Sequence, residues 1–234
     1  MKAILPILVS FLLTLSAVAH TSVEGKFTCP IDGRKFKQYV DASGTQFGLR
    51  LDYKPLGAIA APWAIPQCPK CKFVLYEESF DTAIVQKIKP FILSERYRSA
   101  AAGNSSYFCL ALVREFLGSD ALDIGYAYLQ ASWQVESNPA KCREYLRLAH
   151  DKLAAGLKTL KPTDVKFADV ALVCGELERR LGRFTEAEKR FNALRTMKAF
   201  KDAQRQKIIA RQLYFISKED AAPHALDKEQ EKLL

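Results

Sequence analysis

Two short stretches of this chain repeat one another at a distance. "TCPIDGRKF" spans Thr28 to Phe36, and about forty residues later "QCPKCKF" spans Gln67 to Phe73. In the second, Cys68 and Cys71 frame a Pro-Lys pair. In the first, Cys29 opens the motif and Asp32 stands in the place of the second sulfur. Cys-x-x-Cys turns suit zinc because one tight loop offers two ligands while its N–H groups hydrogen-bond to the sulfurs. Two such loops complete a tetrahedron, and aspartate is a legitimate zinc ligand at about 2.0–2.2 Å. The expectation is one structural zinc held by Cys29, Asp32, Cys68 and Cys71. The gap between the loops exceeds the ~15–20 residues of a compact zinc pattern. "KQYVDASGTQFGLRLDY" is therefore expected to form a hairpin between them.

Other readings of the cysteines stay open. Cys29 could join Cys68 or Cys71 in a disulfide, or the loops could be a degenerate ribbon holding no metal. "CPKC" could also be a redox pair, since this spacing often tunes thiol acidity. A redox pair wants the motif at the head of a helix in a βαβ unit, whereas strand-like "FVLYEESF" follows here. No His or Glu cluster lies close by in sequence, which argues against catalytic zinc. Cys109, Cys142 and Cys174 lie one each in helical stretches, and Cys142 and Cys174 read as buried thiols filling space at packing positions.

The first twenty residues, "MKAILPILVSFLLTLSAVAH", combine an early lysine, an apolar run and the small-x-small triplet Ala17-Val18-Ala19. This is the pattern of a secretory signal peptide cut after Ala19. The apolar run is shorter than the ~20 residues a membrane span needs. The expected protein is exported, to the bacterial periplasm, with no stable membrane span after cleavage. Its formal net charge of +9 favours acidic partners. Nucleic acid is the least available of these to an exported chain, so an acidic protein or peptide is expected.

Beyond the signal, residues 20–80 are rich in Gly, Pro and β-favouring residues, with "KFKQYV" and "FGLRLDY" alternating as short strands do. "KPLGAIAAPWAIPQ" carries three prolines and a glycine and reads as an extended connection. Trp63 within it is expected to cover a small core. Residues 81–218 are helical in pattern. "DTAIVQKIKPFILSERYRS" leans helical, with Pro90 expected to break it. Five or six helices then follow, punctuated by Gly118, Asp120, Asn138-Pro139 and Gly182, and joined by loops short enough to make neighbours antiparallel. Residues 219–234 read as a charged, flexible tail.

One hairpin, "ALVCGELERRLGRFTEAEKRFNAL", resembles the tetratricopeptide repeat. Gly175 takes the small position, Gly182 and Phe184 the turn, and Ala187 and Phe191 the small and large positions of the second helix. Two helices approach to about 8–9 Å only where one presents no large side chain. The departures are Glu178, where an aromatic is usual, and Ala199, where a proline is common. Arginines crowd this unit, and Arg179, Arg180, Arg183 and Arg190 are the candidate partner-binding residues, set against glutamates at helical spacing.

Cysteine loops ahead of a repeat-like helical region resemble an uncharacterised bacterial family, the domain of unknown function 2225 family. The stretches that carry the resemblance are "CPIDGRKF", "CPKCKF", "YAYLQASW" and "GELERRLGRFTEAEKRF". It implies a mainly α fold, a TPR-like helical hairpin array with a small N-terminal β module of zinc-ribbon type, and no established activity. Asp32 and the export signal depart from the family pattern. No nucleophile–base pair, phosphate loop or carboxylate pair stands out. The functional expectation is a non-enzymatic interaction protein, with an envelope thiol/disulfide protein using Cys68 and Cys71 as the alternative.

Overall fold

The computed structural model describes residues 20–234; the expected signal peptide, residues 1–19, lies outside the described residues. Thr21–Thr28 (β1) and Lys35–Ser43 (β2) pair antiparallel, with Phe27 opposite Phe36 and Lys26 opposite Lys37. The turn that joins them is the first cysteine loop. Thr45–Leu49 (β3) pairs with Pro55–Ala58 (β4) in a second small sheet. The expected hairpin between the cysteine loops is thus replaced by two consecutive ones. β2 turns back on β1, and the β3 segment turns forward onto β4. Strand β1 gives no signal in the sequence because its side chains are mostly exposed on both faces, so it shows no apolar alternation.

"FVLYEESF" is not a strand. Val74 makes a single bridge with Gln67, after which Phe73, Tyr76 and Phe80 gather edge-on with ring centroids 5.1–6.3 Å apart. Aromatic burial wins there over strand pairing.

The remainder is mainly helical: Thr82–Leu93 (α1), Glu95–Ala101 (α2), Ser106–Leu117 (α3), Ala121–Gln134 (α4), Pro139–Leu157 (α5), Phe167–Arg180 (α6), Phe184–Thr196 (α7) and Ala203–Ser217 (α8). Helix α1 runs through Pro90 and stops at Ser94. The Ser94 hydroxyl donates to Phe91 O at 2.6 Å and accepts the Tyr97 N–H, ending one helix and capping the next. Asp81, Ser105, Asp120, Asn138 and Asp202 cap their helices in the same way. Gly118 and Gly182 adopt φ +71° and +76° at helix ends, where a side chain would be strained.

From α3 onward each helix packs on the next in the chain. Small residues let them close. A Cβ on Gly175 of α6 would meet the Phe191 ring of α7 at 2.5 Å, and one on Gly125 of α4 would meet Leu153 of α5 at 2.7 Å. Cys142 and Cys174 are buried thiols, as expected. Two apolar cores result. The first joins the cysteine loops to α1–α5 through Phe73, Ile88, Tyr97, Phe108 and Tyr145. The second gathers Leu51, Leu172, Phe191, Phe200, Ile209 and Phe215.

Helix α6 lies between both cores and is buried on every face from Val170 to Arg180. This corrects the arginine expectation. Arg179 is 0% exposed and Arg180 9%, so neither offers a free cationic face. Arg179 is clasped by Glu176, Gln212 and the carbonyls of Asp220 and Ala222.

The last residues are not loose either. Leu226 N–H donates to Leu49 O at 2.7 Å, Leu51 N–H donates to His224 O at 2.9 Å, and Ala225 is fully buried. The His224 ring stacks on Phe215 with centroids 3.6 Å apart. A short 3-10 helix, Lys228–Leu233, then lies against β3. Backbone pairing with β3 outweighs the charge that made this segment read as a tail. Among the described residues no helix is long and apolar enough to cross a membrane.

Candidate metal centre

The two cysteine loops are built alike, hydrogen bond for hydrogen bond. Cys29 N–H donates to Arg34 O and Gly33 N–H to Cys29 O, both at 2.9 Å; Cys68 N–H donates to Phe73 O at 2.8 Å and Lys72 N–H to Cys68 O at 3.0 Å. The fifth residue of each loop is left-handed, Gly33 at φ +69° and Lys72 at +61°. This superposes Cys29 on Cys68 and Asp32 on Cys71. The equivalence extends to the ligand atoms. N–H groups of Ile31 and Asp32 point at the Cys29 sulfur as those of Lys70 and Cys71 point at Cys68. The Arg34 N–H donates to Asp32 Oδ1 at 3.1 Å, as the Phe73 N–H serves Cys71.

Neighbouring elements hold the loops face to face. Gln38 of β2 accepts from Gln67 N–H at 2.9 Å and donates to Ile65 O, tying the first hairpin to the second loop. From α2, the Tyr97 hydroxyl donates to Lys72 O at 2.9 Å. Ile31, Phe73 and Val74, all fully or nearly fully buried, seat both loops in the first core.

The result is convergence. One ligand atom from each of Cys29, Asp32, Cys68 and Cys71 lies within 4.8 Å of every other. Cys29 Sγ and Cys71 Sγ are 3.5 Å apart, and each Asp32 carboxylate oxygen is 3.7 Å from Cys68 Sγ. A tetrahedron with metal–sulfur bonds of about 2.3 Å has sulfur–sulfur edges of about 3.8 Å, so the cluster has the size of an ion's first coordination sphere. A disulfide needs about 2.05 Å, and all six cysteines are free thiols. These four residues could bind a metal ion.

Electrostatics fit that role. The Cys71 thiol, then the N–H groups of Asp32 and Ile31 acting against burial, bring Cys29 down to about 7. Cys71 is driven well above the ordinary thiol range, first by Cys29 and then by burial, and Cys68 is raised by burial. Packed thiols resist losing all their protons unless a cation compensates. Burial works to raise the Asp32 carboxyl, but the Arg34 N–H, Cys29 and Lys70 together hold it below the usual range.

A reactive thiol pair has a different setting. Low-pKa redox cysteines sit at helix N-termini or beside cations, partly exposed. Cys68 and Cys71 are 0% and 2% exposed, in a turn that opens no helix. Trp63, expected to cover a small core, is 43% exposed and contributes its carbonyl to the Tyr107 hydroxyl.

The remaining arginines separate by environment. Arg190 lies half-buried against Glu178, which also bonds His150 Nε2 at 3.1 Å. Arg183 reaches His150 Nδ1 and lines a surface cleft of about 290 Å³ between α5 and the α6–α7 turn. Arg143 and Arg147, absent from the sequence-based candidates, line the same cleft. Their i, i+4 spacing on α5 was the signal that could have found them. Comparison of the chain with models of known families, with curated proteins and with solved structures gives no match.

Proposed function

We propose that this is an exported, non-enzymatic protein-interaction module: a TPR-like array of helical hairpins carrying a zinc-ribbon-like β module whose ion is structural zinc. Zinc suits the donor set because three buried thiolates and a carboxylate fill all four tetrahedral positions with protein ligands, as in a structural rather than a catalytic site. The resemblance to the domain of unknown function 2225 family belongs to the same reading.

The observation that carries the interaction role is the arginine cleft. Arg143, Arg147 and Arg183 line it together with Glu144, with Asp151 pairing Arg147 at an exposed 3.4 Å, on a chain of formal net charge +9. Arginine forks recognise carboxylates bidentately, so the partner is an acidic protein or peptide. The site therefore shifts from Arg179 and Arg180 to the solvent-facing members of the same neighbourhood.

The test is a photo-crosslinking residue at Ala140, which lines the cleft, used on the metal-loaded protein in cell-envelope extract. One dominant adduct is expected, weakened by salt and lost in the Arg147→Glu/Arg183→Glu variant. An adduct that survives both charge reversals would overturn this reading of the cleft.

A further inference from the structure

We infer that Asp32 is an exchangeable corner of the metal centre, and that a small thiol carrying a carboxylate can take its place on the ion. The inference rests on the metal reading above and deepens it. Three ligands are sealed: Cys29, Cys68 and Cys71 are 1%, 0% and 2% exposed. Asp32 is the one ligand that reaches the surface, and its neighbours Gly33, Arg34, Pro69 and Lys70 are all exposed. Nothing lies within 4 Å of where a Gly33 side chain would begin, so the way in is open.

Asp32 is also the weakest member chemically. An oxygen donor competes poorly with sulfur for a thiophilic ion. Its two oxygens sit at the same 3.7 Å from Cys68 Sγ, a long and weak pair of contacts, and the one backbone N–H that holds the carboxylate is that of Arg34. Replacing a carboxylate by a thiolate leaves the charge of the ion's own ligand shell unchanged. Lys70, close enough to stabilise the Asp32 anion, and the exposed Arg34 would steer and hold the carboxylate of the incoming ligand. No bond to carbon is made or broken. One metal–oxygen bond is replaced by one metal–sulfur bond, and the thiol proton passes to solvent or to the released carboxylate.

The test uses the cobalt(II)-loaded protein, whose sulfur-to-metal charge-transfer absorbance follows the number of bound thiolates, with 3-mercaptopropionate as probe and metal retention checked by gel filtration. Adding the probe should raise that band by about one third as three sulfurs become four. Asp32→Ala should saturate at lower probe concentration than wild type, and Lys70→Glu at higher. Asp32→Cys should show the four-sulfur spectrum from the start and ignore the probe. A cobalt spectrum unmoved by the probe in both wild type and Asp32→Ala overturns the inference while leaving the metal centre standing, as does stripping of the metal by the probe. Absence of any cobalt band removes the centre itself, and the inference with it.

Discussion

Arg180 of α6 donates to Asp52 Oδ2 at 2.8 Å, joining residues 128 positions apart in the chain. Asp52 is fully buried and is the hub of the junction between the β region and the helices. It also accepts from Arg50 Nε at 3.0 Å, from Trp133 Nε1 of α4 at 3.0 Å and from Lys54 N–H at 3.2 Å. Arg50 passes the network on to Glu136, which Lys54 also meets. A carboxylate this deep is tolerated because its lone pairs are all met.

Asp52→Ala should therefore be costly, because it leaves the buried Arg180 guanidinium without its anion and Arg50 with Glu136 alone. Breaking a buried pair on one side costs about 3–5 kcal/mol, read as a fall in urea unfolding stability. Lys37→Ala is the control. It removes an exposed pair with Glu24 at 2.7 Å and should cost under about 1 kcal/mol. Equal losses from the two variants would show that Asp52 does not anchor the junction.

Acid should destabilise the protein over a defined window. Burial alone would raise Asp52, but Arg50 first and then Arg180 bring it down to about 2. Glu178, also opposed by burial, is held at about 2 by Arg190 and His150. Unfolded Asp and Glu titrate near 3.9 and 4.3. With folded values below these, their stabilisation is present above about pH 4.5 and is lost as pH falls toward 2. Glu176 works in the other sense, since burial raises it against the pull of Arg179. Unfolding measured between pH 6 and 3 should show stability falling with acidity, and Glu178→Gln should flatten that fall. An unchanged slope in the variant would remove Glu178 from the account.

How far these features could be read in advance follows from how local their causes are. The cysteine loops were legible because four ligand positions and two turns fit inside short windows, and Gly175 with Phe191 because helix crossing imposes a local spacing. Arg179 and Arg180 were not. Nothing in "GELERRLG" says whether an arginine meets solvent, and the partner of Arg180 stands at Asp52. The end of the chain misled for the same reason: Leu226 pairs with Leu49 of β3 and Ala225 with Arg50, both far away in sequence. The pairing of β1 was hidden because a strand exposed on both sides carries no period-two signal.

Two glycines of the α6–α7 hairpin should fail differently when replaced. Gly175→Val drives a branched side chain at a ring 2.5 Å from its first carbon. Overpacking of this kind costs about 1–3 kcal/mol, and this case belongs at the top of that range. Gly182 faces open space at φ +76°, so Gly182→Ala incurs only the left-handed backbone cost of about 1–2 kcal/mol, and Gly182→Asn less. Thermal unfolding should place Gly175→Val lowest, Gly182→Ala next and Gly182→Asn nearest wild type. Reversal of that order would mean that α6 and α7 do not close on Gly175.

Deleting residues 221–234 should weaken the second core and spare the candidate metal centre. The deletion removes the Ala222 carbonyl from Arg179 Nη2, the Ala225 carbonyl from Arg211 Nε, and the His224 ring from Phe215. It also uncovers the Leu51 backbone that pairs with His224. The truncated chain should melt lower, with increased amide exchange in α8, yet give the wild-type cobalt spectrum. Its ligand loops belong to the other core. Loss of the spectrum on truncation would show that the two cores are not separable through α6.

Metal removal should produce the complementary pattern. The loops keep Cys29 and Cys71 sulfurs 3.5 Å apart, a spacing that full deprotonation without a cation makes unfavourable. After chelation at neutral pH the cluster must take up protons, and the N–H groups aimed at Cys29 and Cys68 lose part of their partners' charge. Protection from amide exchange should then fall at Ile31, Asp32, Lys70 and Cys71 and along β1–β2. Helices α4–α8, which pack chiefly on one another, should keep their protection and the far-ultraviolet helical signal. Cys68→Ser should copy the chelated state without chelator. If chelation instead melted the helices together with the loops, the ion would be holding up the first core as a whole, and the β module would not be a separately stabilised unit.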